Sequence, residues 1–180
     1  MLHHFHYDQT ASLDFKEIGV TDYEGVKVHD ISYASPKGGH VPAYLVVPSG
    51  KGPFAGIIFG HWAMPGSPMR NRTEFLDESV ALAQAGAASL LIDAPFARPG
   101  VTEDQDFLSA QNANLLLQQI LDLRRGVDLL VARKEVDPKR IAYVGHSYNA
   151  GAGGILAGVE KRIKAFVLMA GVLSNAEIMR

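Results

Sequence analysis

The sequence predicts a three-layer α/β/α fold, a mostly parallel sheet with helices on both faces and an antiparallel hairpin on its N-terminal side. Three observations carry this expectation. From residue 54 onward, short apolar runs bounded by turn residues alternate with longer stretches of helical period. The runs are continuously apolar, as strands covered on both faces are. The 180 residues, 47% of them hydrophobic, suit one domain with a real core, and no repeat, low-complexity tract or linker divides them. We therefore expect a single domain over 1–180, with 1–24 as an N-terminal arm and 25–180 as its core.

Residues 1–24 are mixed and polar. His3, His4 and His6 invite a metal-site reading, but a metal needs further ligands in a defined geometry, and a surface arm is the preferred account. Residues 26–33 alternate apolar and polar; Ser-Pro-Lys-Gly-Gly at 35–39 turns the chain, and 41–47 returns as a second strand before Pro48. Residues 54–60 are the first covered strand. A helix is expected over 72–85, with Thr73 as its cap and Gly86 closing it. Residues 87–93 form the next strand, and 94–104, with two prolines and a glycine, a loop beyond its carboxyl end. In the helix expected over 106–133, Leu116, Ile120, Leu123, Val127 and Leu130 make one apolar stripe. Val-Asp-Pro-Lys at 136–139 reads as a turn into the strand at 141–144. A helix of small residues runs to about 159, and a last apolar strand covers 165–169.

Composition narrows the partners. A net charge of −2 with 20% charged residues gives no reason to expect nucleic acid or an anionic membrane surface. The absence of cysteine excludes disulfide and thiol chemistry and makes a cytoplasmic location the default. Residues 1–10 lack the charged start and apolar run of a signal peptide, and no apolar stretch approaches the roughly 18 residues of a membrane span.

In an open parallel sheet, ligands bind beyond the carboxyl ends of the strands. The loop at 61–72, the loop at 94–104 and the turn at Ser147 meet there. Ser147 stands at the apex of a strand-turn-helix, where a hydroxyl is pushed out above the sheet edge beside the N–H groups of a helix start. A serine hydroxyl becomes a nucleophile only with a base in reach and donors for the developing oxyanion. The expected donors are the backbone N–H groups of Tyr148 and Trp62. The competing reading has Ser147 as an ordinary helix cap, a role serine favours. The motif is also imperfect: Asn149 occupies the fifth position of G-x-S-x-G. Trp62 and Tyr148 could wall an acyl pocket or pack as core. His61 could reach the crevice, and His146, next to Ser147, is a poor base because neighbours at a tight turn point apart. Asp93 ends a strand at the crevice, where structuring its loop is the preferred role. Arg70 and Arg72 could hold an anionic group or be solvated charges. Gly151, Gly153 and Gly154 fit neither dinucleotide nor P-loop spacing, which leaves close helix packing as their explanation and no cofactor or metal called for.

The segments Ile-Ile-Phe-Gly-His-Trp at 57–62, Leu-Leu-Ile-Asp-Ala-Pro at 90–95, Val-Asp-Pro-Lys-Arg-Ile at 136–141 and Val-Gly-His-Ser-Tyr at 144–148 together resemble α/β-hydrolases, in particular the dienelactone-hydrolase and serine-peptidase-like esterases. The resemblance extends from the hairpin to about residue 173. It implies a serine hydrolase acting on carboxylic esters or related acyl compounds through an acyl-enzyme on Ser147, with His61 in a structural role in the oxyanion loop. It also implies a triad acid and a histidine after the nucleophile. Here only Glu160 and Glu177 are acidic after Ser147, and no histidine follows. The expectation is thus the first two-thirds of a hydrolase, apparently truncated after the sixth strand and weak or inactive in this short form. A non-catalytic binding module on the same scaffold, pairing with a second copy through an open edge at 165–169, is the alternative from a different class. A nucleotide-binding doubly wound domain is weakest, since both phosphate fingerprints fail.

Overall fold

A computed structural model describes residues 2–106 and 108–171 of the chain. Seven strands form one sheet: β1 (Lys16–Tyr23), β2 (Val26–Ala34), β3 (His40–Val46), β4 (Phe54–Gly60), β5 (Ala87–Ile92), β6 (Val136–His146) and β7 (Ile163–Met169). Their spatial order is β1-β2-β3-β5-β4-β6-β7. The first three strands and the β3–β5 pair are antiparallel, while β5, β4, β6 and β7 run parallel. The crossovers carry α1 (Leu76–Gln84), α2 (Ala110–Val131) and α3 (Tyr148–Val159). The α/β architecture is the expected one.

Strand alternation divides the core. Ile58, Leu90 and Ile92 point into a cluster with Ile120, Leu123, Val127 and Leu130 of α2 and Leu156 of α3. Their neighbours Phe59 and Leu91 face the other way, onto Val80 and Ala83 of α1. Each central strand is therefore covered twice, which is why its sequence is continuously apolar. Gly153 lets α3 approach the sheet: a Cβ there would lie 2.6 Å from Tyr143 Cε1 and 2.5 Å from Leu168 Cδ2. Close packing is the use of that glycine.

Several elements differ from the sequence reading. The polar arm contains a strand, β1, exposed along its whole length and held by pairing with β2. Residues before it are pinned to α2: Arg124 donates to the Phe5 carbonyl, Arg125 to those of Gln9 and Ala11, and Tyr7 Oη to Asp128 at 2.8 Å. Helix α1 begins at Leu76, not at 72, and has no side-chain cap. Residues 71–75 turn instead, with Asn71 Oδ1 accepting the Thr73 N–H at 2.8 Å. Strand β6 starts at Val136, which pairs with Phe54; the next pairing is Ile141 with Gly56, so 137–140 bulge outward between them. β7 forms the outer edge, with Val167, Leu168 and Met169 exposed.

Candidate active site

Ser147 occupies the N-cap position of α3, between β6 and the helix, at φ 52° and ψ −110°. A side-chain-bearing residue in that region is strained by about 1–3 kcal/mol and persists only where its surroundings leave no alternative. The surroundings here are specific. The Ser147 N–H donates to the Met169 carbonyl at 2.8 Å, and its own carbonyl accepts from Ala150 and Gly151 at 3.0 and 3.1 Å. A Cβ on Gly145 would run into the Asn149 carbonyl, so only glycine allows the turn to close so tightly. The serine side chain makes no capping hydrogen bond. Tyr148 opens the helix, where its N–H has no intrahelical acceptor.

Asn149, the departure from the motif, is fully buried. Its Nδ2 donates to the His61 carbonyl at 2.6 Å, and its Oδ1 accepts from Gln119 at 2.7 Å. Tyr143 Oη donates to its backbone carbonyl at 2.7 Å. Gly60 makes room, since a Cβ there would lie 2.6 Å from Asn149 Cγ. The asparagine ties the Ser147 turn to the loop after β4, and glycine at 149 would leave the His61 carbonyl and the Gln119 amide without these bonds.

His61 is 2% exposed, with both ring nitrogens committed. Nδ1–H donates to the Trp62 carbonyl at 2.7 Å, and Nε2 accepts the Ala94 N–H at 3.0 Å. Burial pulls its pKa down to about 4. His61 is therefore neutral near pH 7 and joins the loops after β4 and β5; it has no nitrogen free to take a proton from Ser147.

The Trp62 N–H, expected to point at an oxyanion, instead donates to Glu74 Oε2 at 2.6 Å. The other oxygen of Glu74 accepts from His146 Nδ1 at 2.5 Å. The Trp62 and His146 rings stack, their centroids 5.3 Å apart and their planes 21° from parallel. His146 is thus occupied by packing and by a carboxylate, and no hydrogen bond joins it to Ser147 among the described residues. Glu74 escaped the sequence reading because it falls inside the predicted helix, where a glutamate signals only a solvated face.

Asp93 lies at the crevice and orders the loops. Its Oδ1 accepts the Arg72 N–H at 2.7 Å, and its carbonyl accepts from Arg98 at 2.8 Å; burial raises its pKa. The side chains of Arg70 and Arg72 are engaged, except that the buried Arg72 Nη1 makes no hydrogen bond among the described residues. Arg72 pairs with Asp30 at 3.0 Å and lies over the Tyr44 ring, while Arg70 pairs with Glu103 and lies over Phe96. Phe96, also unforeseen, meets Tyr148 edge-on at 5.0 Å and His61 at 5.3 Å, which makes a continuous aromatic wall. Trp62 Nε1 and Tyr148 Oη are buried atoms with no partner among the described residues. Of the acidic residues after Ser147, Glu160 is held by Arg162 at 2.7 Å and Arg124 at 3.3 Å; Glu177 lies outside the described residues. No cluster of three potential metal ligands occurs among the described residues.

No family model matches the chain, and no curated protein matches it. Solved structures do. An acetyl xylan esterase from Paenibacillus sp. R4 is 24% identical, with a TM-score of 0.70 over 91% of this chain and 55% of that one. Acetyl xylan esterase 1 from Thermoanaerobacterium sp. gives a TM-score of 0.74 at 16% identity, covering 97% and 58%. A glucuronoyl esterase from Solibacter usitatus gives 0.61 at 15% identity, covering 87% and 51%. The fold is that of the N-terminal part of an α/β-hydrolase, and the chain spans about half the length of these neighbours.

Proposed function

We propose that this chain carries the nucleophile-bearing part of a serine esterase acting on carboxylic esters or related acyl compounds. The observation that carries the reading is Ser147 itself, held at φ 52° between strand and helix with its hydroxyl not used as a cap. In the reaction, Ser147 Oγ bonds to the acyl carbon while its proton passes to a general base. The carbonyl electron pair moves onto oxygen, opposite the N–H of Tyr148 at the head of α3. Collapse expels the alcohol, which takes up the proton, and water then releases the acid from Ser147. Phe96 and Tyr148, in edge-on contact, and Trp62 supply apolar wall beside Ser147. The neighbours named as acetyl xylan and glucuronoyl esterases support ester chemistry. The dienelactone-hydrolase-like subgroup belongs to this proposal through its sequence motifs alone, and a cytoplasmic location through the cysteine-free composition; no helix among the described residues is long and apolar enough to cross a membrane.

Among the described residues neither nearby histidine is free to take the Ser147 proton. His61 has both nitrogens bonded, His146 is held by Glu74, and no histidine follows Ser147. A fluorophosphonate probe is therefore expected to label this chain weakly or not at all, and to label strongly a longer chain that adds an acid and a histidine after further strands. Strong labelling of the 180-residue chain, lost in Ser147→Ala, would show the short form to be competent by itself. A second reading, assembly through the sheet edge, is favoured by the exposed Val167, Leu168 and Met169 on β7. It predicts self-association by light scattering with or without Ser147.

A further inference from the structure

We propose that Glu74 is a positioning residue of the Ser147 site, one carboxylate that holds the loop after β4 and the residue preceding Ser147 at a fixed separation. Its effect on acylation rests on the esterase reading above, whereas the clamp itself does not. Glu74 lies in the turn before α1 with its side chain 8% exposed. A carboxylate so nearly buried is tolerated only when its oxygens are bonded. Each has one donor, and the donors come from opposite sides of the site: the Trp62 N–H at 2.6 Å on Oε2 and His146 Nδ1 at 2.5 Å on Oε1. Hydrogen bonds to an ionised acceptor are the stronger class. The indole of Trp62 stacked on the His146 ring closes the third side, so that loop, imidazole and carboxylate form one block.

Two consequences follow from the chemistry of the group. A carboxylate oxygen only accepts, so His146 must carry its proton on Nδ1, and Glu74 fixes the tautomer of the residue next to Ser147. Asn149 ties down the base of the loop through the His61 carbonyl, and Glu74 ties the next residue. An acylation that depends on sub-ångström placement of donors around Ser147 is sensitive to this second tie.

Trp62 is the sole tryptophan, so its fluorescence and its backbone amide report on this block alone. In Glu74→Ala, amide exchange at Trp62 is expected to accelerate about tenfold or more. Acrylamide quenching of Trp62 is expected to rise, and the maximal rate of fluorophosphonate acylation of Ser147 to fall about tenfold at an unchanged half-saturating concentration. Glu74→Gln is expected to restore most of the amide protection. Its carbonyl accepts from Trp62 while its NH2 donates to His146 Nδ1, so the ring proton moves to Nε2 and the imidazole 15N shifts exchange character. Unchanged exchange and quenching in Glu74→Ala would overturn the clamp; faster exchange with an unaltered acylation rate would overturn the positioning role. If the wild-type chain takes no probe, as the want of a free base beside Ser147 predicts, the acylation rates are compared in the longer chain that adds an acid and a histidine; a longer chain that also takes none overturns the esterase reading alone, and Trp62 exchange still decides the clamp. Should Glu74→Ala not fold, the 15N shifts in the isosteric Glu74→Gln decide, and unexchanged shifts there overturn the proposal.

Discussion

The turn at Ser147 and the outer face of β7 are hydrogen-bonded neighbours, the Ser147 N–H on the Met169 carbonyl, yet they are opposites in coverage. Around the turn buried polar side chains tie the loops together, although Trp62 Nε1, Tyr148 Oη and Gln119 Oε1 have no partner among the described residues. Asn149 bonds His61 and Gln119, Glu74 bonds Trp62 and His146, and Asp93 bonds Arg72. Along β7, Val167, Leu168 and Met169 are 52%, 44% and 37% exposed. The contrast shows where the strained serine conformation gets its support. Beside the Met169 carbonyl, it comes from β4, β6 and α2, through Gly60, Gly145, Tyr143 and Gln119. The nucleophile turn and the sheet edge are separable, and substitutions should damage either one while sparing the other.

The largest effect is expected inside the turn. Gly145→Ala would drive a methyl group into the Asn149 carbonyl, and backbone, unlike a flexible side chain, cannot swing aside. A loss of about 3 kcal/mol or more is expected in urea denaturation; a loss below about 1 kcal/mol would mean that the turn opens easily. His61 comes next, through pH. Burial holds the folded imidazole at about 4 against its ordinary 6.5, so below pH 6.5 the unfolded chain binds a proton that the folded chain refuses. The stability this group contributes is intact above pH 6.5 and is lost as pH falls toward 4, by about 3 kcal/mol. His61→Gln removes the titration. The gap in stability between wild type and variant should be level above pH 6.5 and narrow below it, while the opposing contributions of Asp93 and Asp122, both raised by burial, cancel in the difference. A gap that stays constant with pH would place His61 in contact with solvent.

Asn149 shows how far the site was legible in the sequence. The strand-turn-helix, Ser147 at its apex and the covered strands 54–60 and 87–92 are carried by local periodicity and turn chemistry, which a sequence displays directly. The asparagine reads only as a departure from a motif, because its partners, His61 and Gln119, lie 88 and 30 residues away. The same distance hid Glu74, whose neighbours in the chain suggest a helix, and the arm, which Arg124 and Arg125 hold by backbone carbonyls that have no sequence signature. β1 was illegible for a different reason. It buries nothing: Ile18 and Val20 are exposed, too few to set a pattern, and only pairing with β2 makes it a strand. The Trp62 N–H bond to Glu74 was likewise invisible, because nothing in the loop's own sequence signals it. Asn149→Gly tests the point, since it improves the match to the motif while leaving the His61 carbonyl and the Gln119 amide unpaired in the core. A loss of about 2 kcal/mol is expected in thermal or urea unfolding. A stabilised variant would show that the motif, and not the hydrogen bonds, governs the turn.

The smallest effect on stability is expected at the edge, where the effect on association should be largest. Val167→Lys changes a half-exposed side chain on a strand with no outer neighbour among the described residues, so unfolding should shift by no more than about 0.5 kcal/mol. A lysine on an edge strand opposes pairing with a second chain by charge and by the solvation its ammonium keeps. If β7 is the contact between copies, wild type should grow in apparent mass with concentration in light scattering, and Val167→Lys should stay monomeric, with the Trp62 environment identical in both. A wild type that remains a monodisperse monomer at high concentration removes the assembly reading. A variant that folds normally but perturbs Trp62 would break the separation of turn from edge, and would show that the β6–β7 pairing, which reaches Gly145 and His146, carries the change into the turn.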